Sequence, residues 1–246
     1  MFVCIQITLH GDGVPVSGIG KSWGRSVLFL SWCSLLATGN TLDFNFLIAG
    51  LYEKLCAATR YAHTWNRFCR MLVWSLHWLY LGLWPTEDYL QNKYTDPNSI
   101  EFQRAGAPLA GGYFVFLFGL RGDLDYFGKW LKLNHFRAAE PCILCMANER
   151  DKPWTDFRKG LAVWMNYLWS NSAWKAAHPQ HNIIFCLAGV GILSVLVDIM
   201  HTKHLGTDSY FHGSVLKYLT HDVMPDTPER NLEASMPTQT VYKCNI

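Results

Sequence analysis

Two aspartates stand where a polypeptide can hold a divalent cation. Asp12 lies in Leu9-His10-Gly11-Asp12-Gly13-Val14-Pro15, and Asp123 lies in Arg121-Gly122-Asp123-Leu124-Asp125. Each follows an apolar run that reads as a β-strand, so each is expected at a strand's C-terminal end. Phosphodiester cleavage and strand transfer use two divalent cations roughly 4 Å apart, one activating the attacking oxygen and one stabilising the leaving oxygen. Carboxylates are the hard oxygen ligands that hold such ions. They must come from different elements that converge, and Asp12 and Asp123 meet that condition if their strands lie side by side. The alternative for either residue alone is a turn or helix-capping aspartate.

A second group of residues has metal-ligand spacing. Cys142-Ile143-Leu144-Cys145 lets two thiolates grip one Zn²⁺ from a tight turn, but tetrahedral zinc needs two further ligands and no second Cys-x-x-Cys exists. His201 and His204, in Asp198-Ile199-Met200-His201-Thr202-Lys203-His204, are the natural donors. Three residues apart, they share a face if that segment is helical. Asp198 can orient an imidazole or reach the catalytic carboxylates. The alternative reading makes Cys142 and Cys145 buried thiols and the histidines surface residues.

The elements that must position these side chains are legible from apolar periodicity. Phe2–Leu9 reads as a strand ending in the turn His10–Pro15; Ser26–Leu36 and Phe44–Leu51 read as second and third strands. Thr64–Leu83 carries Trp, Leu and Met at three- and four-residue spacing and predicts a long buried helix stopped by Pro85. Glu87–Pro108 is a polar surface excursion. Gly112–Leu120, dense in aromatic residues and bounded by glycine, is the clearest strand. Beyond it come a short helix-like piece, the cysteine knuckle, a polar loop over Asn148–Thr155 and a Trp-rich stretch over Phe157–Ala177 that reads as helical. Ile183–Val197 reads as strand or buried helix, and Asp208–Leu219 as a helix with Asp208 its N-cap. From Pro225 onward the chain is polar and proline-broken, so the expected organisation is one α/β domain over residues 1–224 and an irregular tail over 225–246. Phe2–Leu9 and Tyr113–Leu120 should be neighbours in one mixed sheet flanked by helices, because both must present their acidic ends to one site.

Composition bounds the function. Half of the 246 residues are apolar, enough for a substantial core, while charged residues are 16% and the net charge is +2. That balance lacks the basic excess of a chain that binds phosphate over its whole surface. The aromatic residues sit inside apolar runs and read as core, not as a base-stacking platform. Eight scattered cysteines with no secretory signal point to a reducing compartment. The strongest candidate for a membrane span, Ile183–Val197, has about fifteen uncharged residues against the roughly 20 that a bilayer requires; a multipass membrane protein is therefore kept as an alternative.

The order of these motifs resembles the catalytic core of CACTA-type (En/Spm-like) DNA transposases. Leu9–Pro15, Gly122–Gly128, Pro141–Cys145 and Asp198–His204 stand in the order in which that family carries its first aspartate motif, second aspartate motif, cysteine knuckle and Asp-x-x-His segment. The resemblance spans about residues 1–220. It implies a ribonuclease-H-like fold with a cysteine-knuckle insertion, Asp12 and Asp123 as catalytic carboxylates for Mg²⁺ or Mn²⁺, Asp125 as the competitor for the second place, and a structural Zn²⁺ on Cys142, Cys145, His201 and His204. It also implies DNA as partner, a possible homo-oligomer and a nuclear location. The family carries a third acidic residue, generally glutamate, on a later helix. Asp208, Asp222, Asp226, Glu229 and Glu233 remain here, none on a convincing core helix. The expectation is an incomplete core from a decayed or domesticated element, without the amino-terminal DNA-binding domain and inactive in strand transfer. A non-catalytic, zinc-stabilised module that binds nucleic acid or protein is the other soluble reading.

Overall fold

The computed structural model describes residues 3–17, 25–56, 61–134, 137–158, 160–198 and 207–223. The chain forms two compact units, Met1–Val197 and Asp198–Ile246.

The first unit is built on a mixed sheet of β1 (Val3–Ser17), β2 (Arg25–Ser34), β3 (Asn45–Tyr52), β4 (Tyr113–Gly122) and β5 (Val195–Val197), in the order β3-β2-β1-β4-β5. The first three strands are antiparallel neighbours in sequence order, with the one-turn helix α1 (Thr41–Phe44) before β3. β4 and β5 then run parallel to β1. A parallel step needs a crossover, and the long helix α2 (Tyr61–Leu81), the excursion holding α3 (Ile100–Arg104) and the approach to β4 supply it. After β4 come α4 (Leu124–Lys129) and α5 (Asn171–Ala177), which precede β5.

One face of the sheet carries the core. Ile7 and Leu9 of β1, Leu28 and Leu30 of β2, and Leu117 and Leu120 of β4 pack with Trp65, Cys69 and Leu76 of α2. Phe127 and Leu131 from α4 and its exit, with Phe185 and Ile192, are fully buried there. Burying each such large apolar side chain is worth about 1.5–3 kcal/mol. A polar knot ties the layers together. The Trp130 carbonyl accepts from Trp65 Nε1 and, at 3.1 Å, from Asn182 Nδ2, while Asn182 Oδ1 accepts from the Ile184 amide at 3.0 Å.

Mixed α/β architecture and the adjacency of the first and fourth strands are as the sequence predicts; three segments differ. β1 does not turn at His10 but continues to Ser17, paired with β2 down to Ser17 opposite Arg25. Beyond Gly11 it has left β4, so Pro15, which has no N–H to give, sits where only one neighbour needs bonding. Phe157–Ala177 is not a helix: Gly160 takes φ +73°, Val163–Asn166 is a 3-10 turn, and only Asn171–Ala177 is α-helical, capped by Ser170. Ile183–Val197 is neither a span nor a continuous element, but two 3-10 turns and the short β5. Among the described residues no helix is long and apolar enough to cross a membrane.

The second unit holds α6 (Ser209–Tyr218) followed by a π-helical turn over Leu219–Val223. Asp208 precedes it in helical geometry, φ −66° and ψ −38°, and its side chain makes no capping bond, contrary to the expected N-cap. The tail over 225–246 lies outside the described residues.

Candidate metal centre

The last paired residues of β1 and β4 are Gly11 and Gly122, and the next residue on each strand is an aspartate. Parallel neighbours run about 4.8 Å apart, so Asp12, still inside β1 and paired with β2, and Asp123, which follows the end of β4, start from adjacent backbones at one level. Two glycines behind them have a physical reason. A Cβ on either Gly11 or Gly122 would enter the ring of Tyr126, which is buried across both strands. The absence of side chains at the two positions lets α4 settle on the sheet directly behind the aspartates.

Asp12 is half-buried and opposite Phe29 on β2. Asp123 is extended, with φ −82° and ψ 172°, and it caps α4: its Oδ1 accepts the Tyr126 amide at 2.6 Å. Asp123 thus takes the helix-capping place that the sequence offered as its alternative reading, and its second oxygen Oδ2 is not used by the cap. Asp125 is exposed and bound to Lys129 one turn on, at 2.8 Å. Lys129 is held above its ordinary range first by that hydrogen bond, with further contributions from the charges of Asp125, Glu53 and Asp123. An ammonium group therefore stands among several carboxylates and partly neutralises them.

Glu53 and Lys129 are the charged members of this neighbourhood that motif reading missed. The Asp125–Lys129 spacing of four was readable as a helical ion pair. Glu53 had a weaker signal: it follows β3 directly, and its Oε2 accepts from Ser26 Oγ at 2.9 Å. β5 ends at Val197, paired with Gly122, and Asp198 is the next residue in the chain.

Cys142 and Cys145 lie beside one another. Cys145 is buried and Cys142 half-buried, and the turn is anchored by backbone bonds from the Met146 amide to the Tyr167 carbonyl and from the Trp169 amide to the Leu144 carbonyl, both 3.0 Å. Burial, then the bond to Cys142, pushes the Cys145 thiol up to about 11. Two adjacent thiols fit half of a tetrahedral zinc site; His201 and His204 lie outside the described residues. Among the described residues no group of three or more His, Cys, Asp or Glu side chains is arranged to hold a metal ion.

Comparison with protein families, with curated proteins and with solved structures gives no match.

Proposed function

We propose that this chain is a transposase-derived, ribonuclease-H-like core whose Asp12 and Asp123 hold a divalent cation, Mg²⁺ or Mn²⁺, against a DNA phosphodiester. The observation that carries the reading is the placement of the two aspartates, each one residue past a paired glycine on the adjacent parallel strands β1 and β4. The mixed sheet flanked by helices, in the order 3-2-1-4-5 with β4 and β5 parallel to β1, is compatible with it. Asp12 and the Oδ2 of Asp123 are the hard ligands, and an ion held there would polarise a phosphate oxygen and activate water. The chain's own contribution is to fix the two carboxylates on rigid elements. Among the described residues no third acidic side chain joins them in a metal-holding group, so the expected chemistry is weak nicking without joining of ends.

Mn²⁺ titration followed by electron paramagnetic resonance, run beside a supercoiled-plasmid nicking assay, tests this. Binding and any nicking should both fall at least about tenfold in Asp12→Asn and in Asp123→Asn. Mn²⁺ affinity equal to the parent protein's in both variants sinks the reading. Metal binding that depends on both aspartates, with no nicking, selects a domesticated DNA-binding module over a nuclease.

The neighbouring Cys142 and Cys145 support a structural zinc as part of the same reading, each supplying one thiolate; His201 and His204, the further ligands expected from the sequence, lie outside the described residues. Zinc quantification on the purified protein checks it: stoichiometric metal lost in Cys142→Ser is the expected result, and protein free of metal after folding in zinc refutes it.

A further inference from the structure

The 3-10 turn Ile183–Cys186 buries Ile184 and Phe185 and leaves Cys186 exposed. Of the other described cysteines, Cys4 and Cys142 are half-buried and the rest buried. Beside Cys186 stands His181, with Nε2 at 3.7 Å from Sγ. The other ring nitrogen, Nδ1, is 2.6 Å from the His178 carbonyl oxygen. A carbonyl only accepts, so Nδ1 carries the hydrogen and Nε2 presents its lone pair to the thiol. Trp174 and Phe185 flank the imidazole, with ring centroids 5.6 and 6.3 Å away, and hold its orientation. A thiol, a base and a group that orients the base are the parts of an activated nucleophile.

Cys186 also lines an open groove of about 500 Å³, walled by Arg70, Trp74 and His77 of α2 and by Tyr89. Arg70 is exposed and makes no ion pair among the described residues, so its guanidinium is available to a carboxylate.

We propose that Cys186 and His181 form a reactive-thiol site, and that the groove beside them takes a small disulfide bearing carboxylates, which Cys186 attacks to become a mixed disulfide. The thiol proton passes to His181 Nε2 as the Cys186 sulfur attacks one sulfur of the disulfide. The new S–S bond forms, the original one breaks, and the departing thiolate takes the proton back from the imidazolium. One disulfide is consumed and one formed, so no further oxidant is needed. The proposal does not depend on the function proposed above.

Glutathione disulfide is the probe, with the modified cysteine identified by peptide mapping of the full chain. Cys186 should react about tenfold or more faster than Cys4 or Cys142 in the same molecule, a comparison that needs no variant. His181→Gln should slow Cys186 about tenfold with an unchanged circular dichroism spectrum. Arg70→Ala should slow reaction with glutathione disulfide several-fold, but not with uncharged hydroxyethyl disulfide. A Cys186 rate no greater than those of Cys4 and Cys142, or one insensitive to His181→Gln, overturns the reactive site. Equal effects of Arg70→Ala on both disulfides overturn the carboxylate recognition.

Discussion

At the scale of single residues, Asp123 has two tasks that can be separated. As N-cap of α4 it satisfies the Tyr126 amide, and as a carboxylate it supplies the charge that the proposed cation needs. Asn caps about as well as Asp, whereas Ala does not. Asp123→Asn should therefore leave the urea midpoint within a few tenths of a kcal/mol, and Asp123→Ala should lower stability by about 1 kcal/mol. Loss of Mn²⁺ binding in Asp123→Asn at full stability would isolate the charge. Cys145 gives a pH test. Burial raises its thiol from 9.0 to about 11, so the fold favours the neutral form. Its contribution to stability is complete below pH 9 and fades as the pH climbs toward 11. In metal-free protein, Cys145 should stay slow to alkylate up to pH 9, and the unfolding midpoint should fall above it, less so in Cys145→Ala.

At the scale of elements, the polar knot around the Trp130 carbonyl sets how α2, the exit of α4 and the turn at Asn182 meet. Asn182→Ala removes the donor to that carbonyl and the acceptor for the Ile184 amide, both buried, and should cost about 1–3 kcal/mol. Trp65→Phe leaves the carbonyl with Asn182 as donor, so the double variant should show coupling of about 0.5–3 kcal/mol in a denaturation cycle. Strands with clear alternation or dense aromatic content, and the helix with three-four periodicity, were legible in the sequence: β2, β3, β4 and α2 fall within a few residues of expectation. Segments whose structure depends on a distant partner were not. His10-Gly11-Asp12-Gly13-Val14-Pro15 has the composition of a turn, yet β2 supplies a bonding partner all along it. The aromatic residues of Phe157–Ala177 suited a helix, but Trp169 and Trp174 reach the core from irregular backbone and a short helix. The candidate site was read in its parts, Asp12 and Asp123, and not in its surroundings. Lys129 and Glu53 are brought near by packing, which no local pattern encodes.

At the scale of the whole sheet, the two faces are unequal. Core residues cover one face, while Phe29 and Leu47, whose pairing with Asp12 and Ser31 puts them on the other, are exposed. The side each residue takes in β4 is decided by one irregularity. Ile7 pairs with Leu117, Thr8 pairs with Gly119, and Phe118 between them has no opposite number. Val115 and Leu117 face the core before this extra residue; Leu120 and Gly122 do so after it. Had the strand run straight through, Arg121 would point into the core and Gly122 away from Tyr126. Phe118 is thus a one-residue spacer that sets the phase of the aspartate-bearing end independently of the strand's beginning. Single-residue deletion reads this out: removing Phe118 should cost less stability than removing Val115, because only the second forces Phe118 inward and Leu117 outward if the end keeps its phase. Equal losses in thermal midpoint for the two deletions would show that the spacer has no such role.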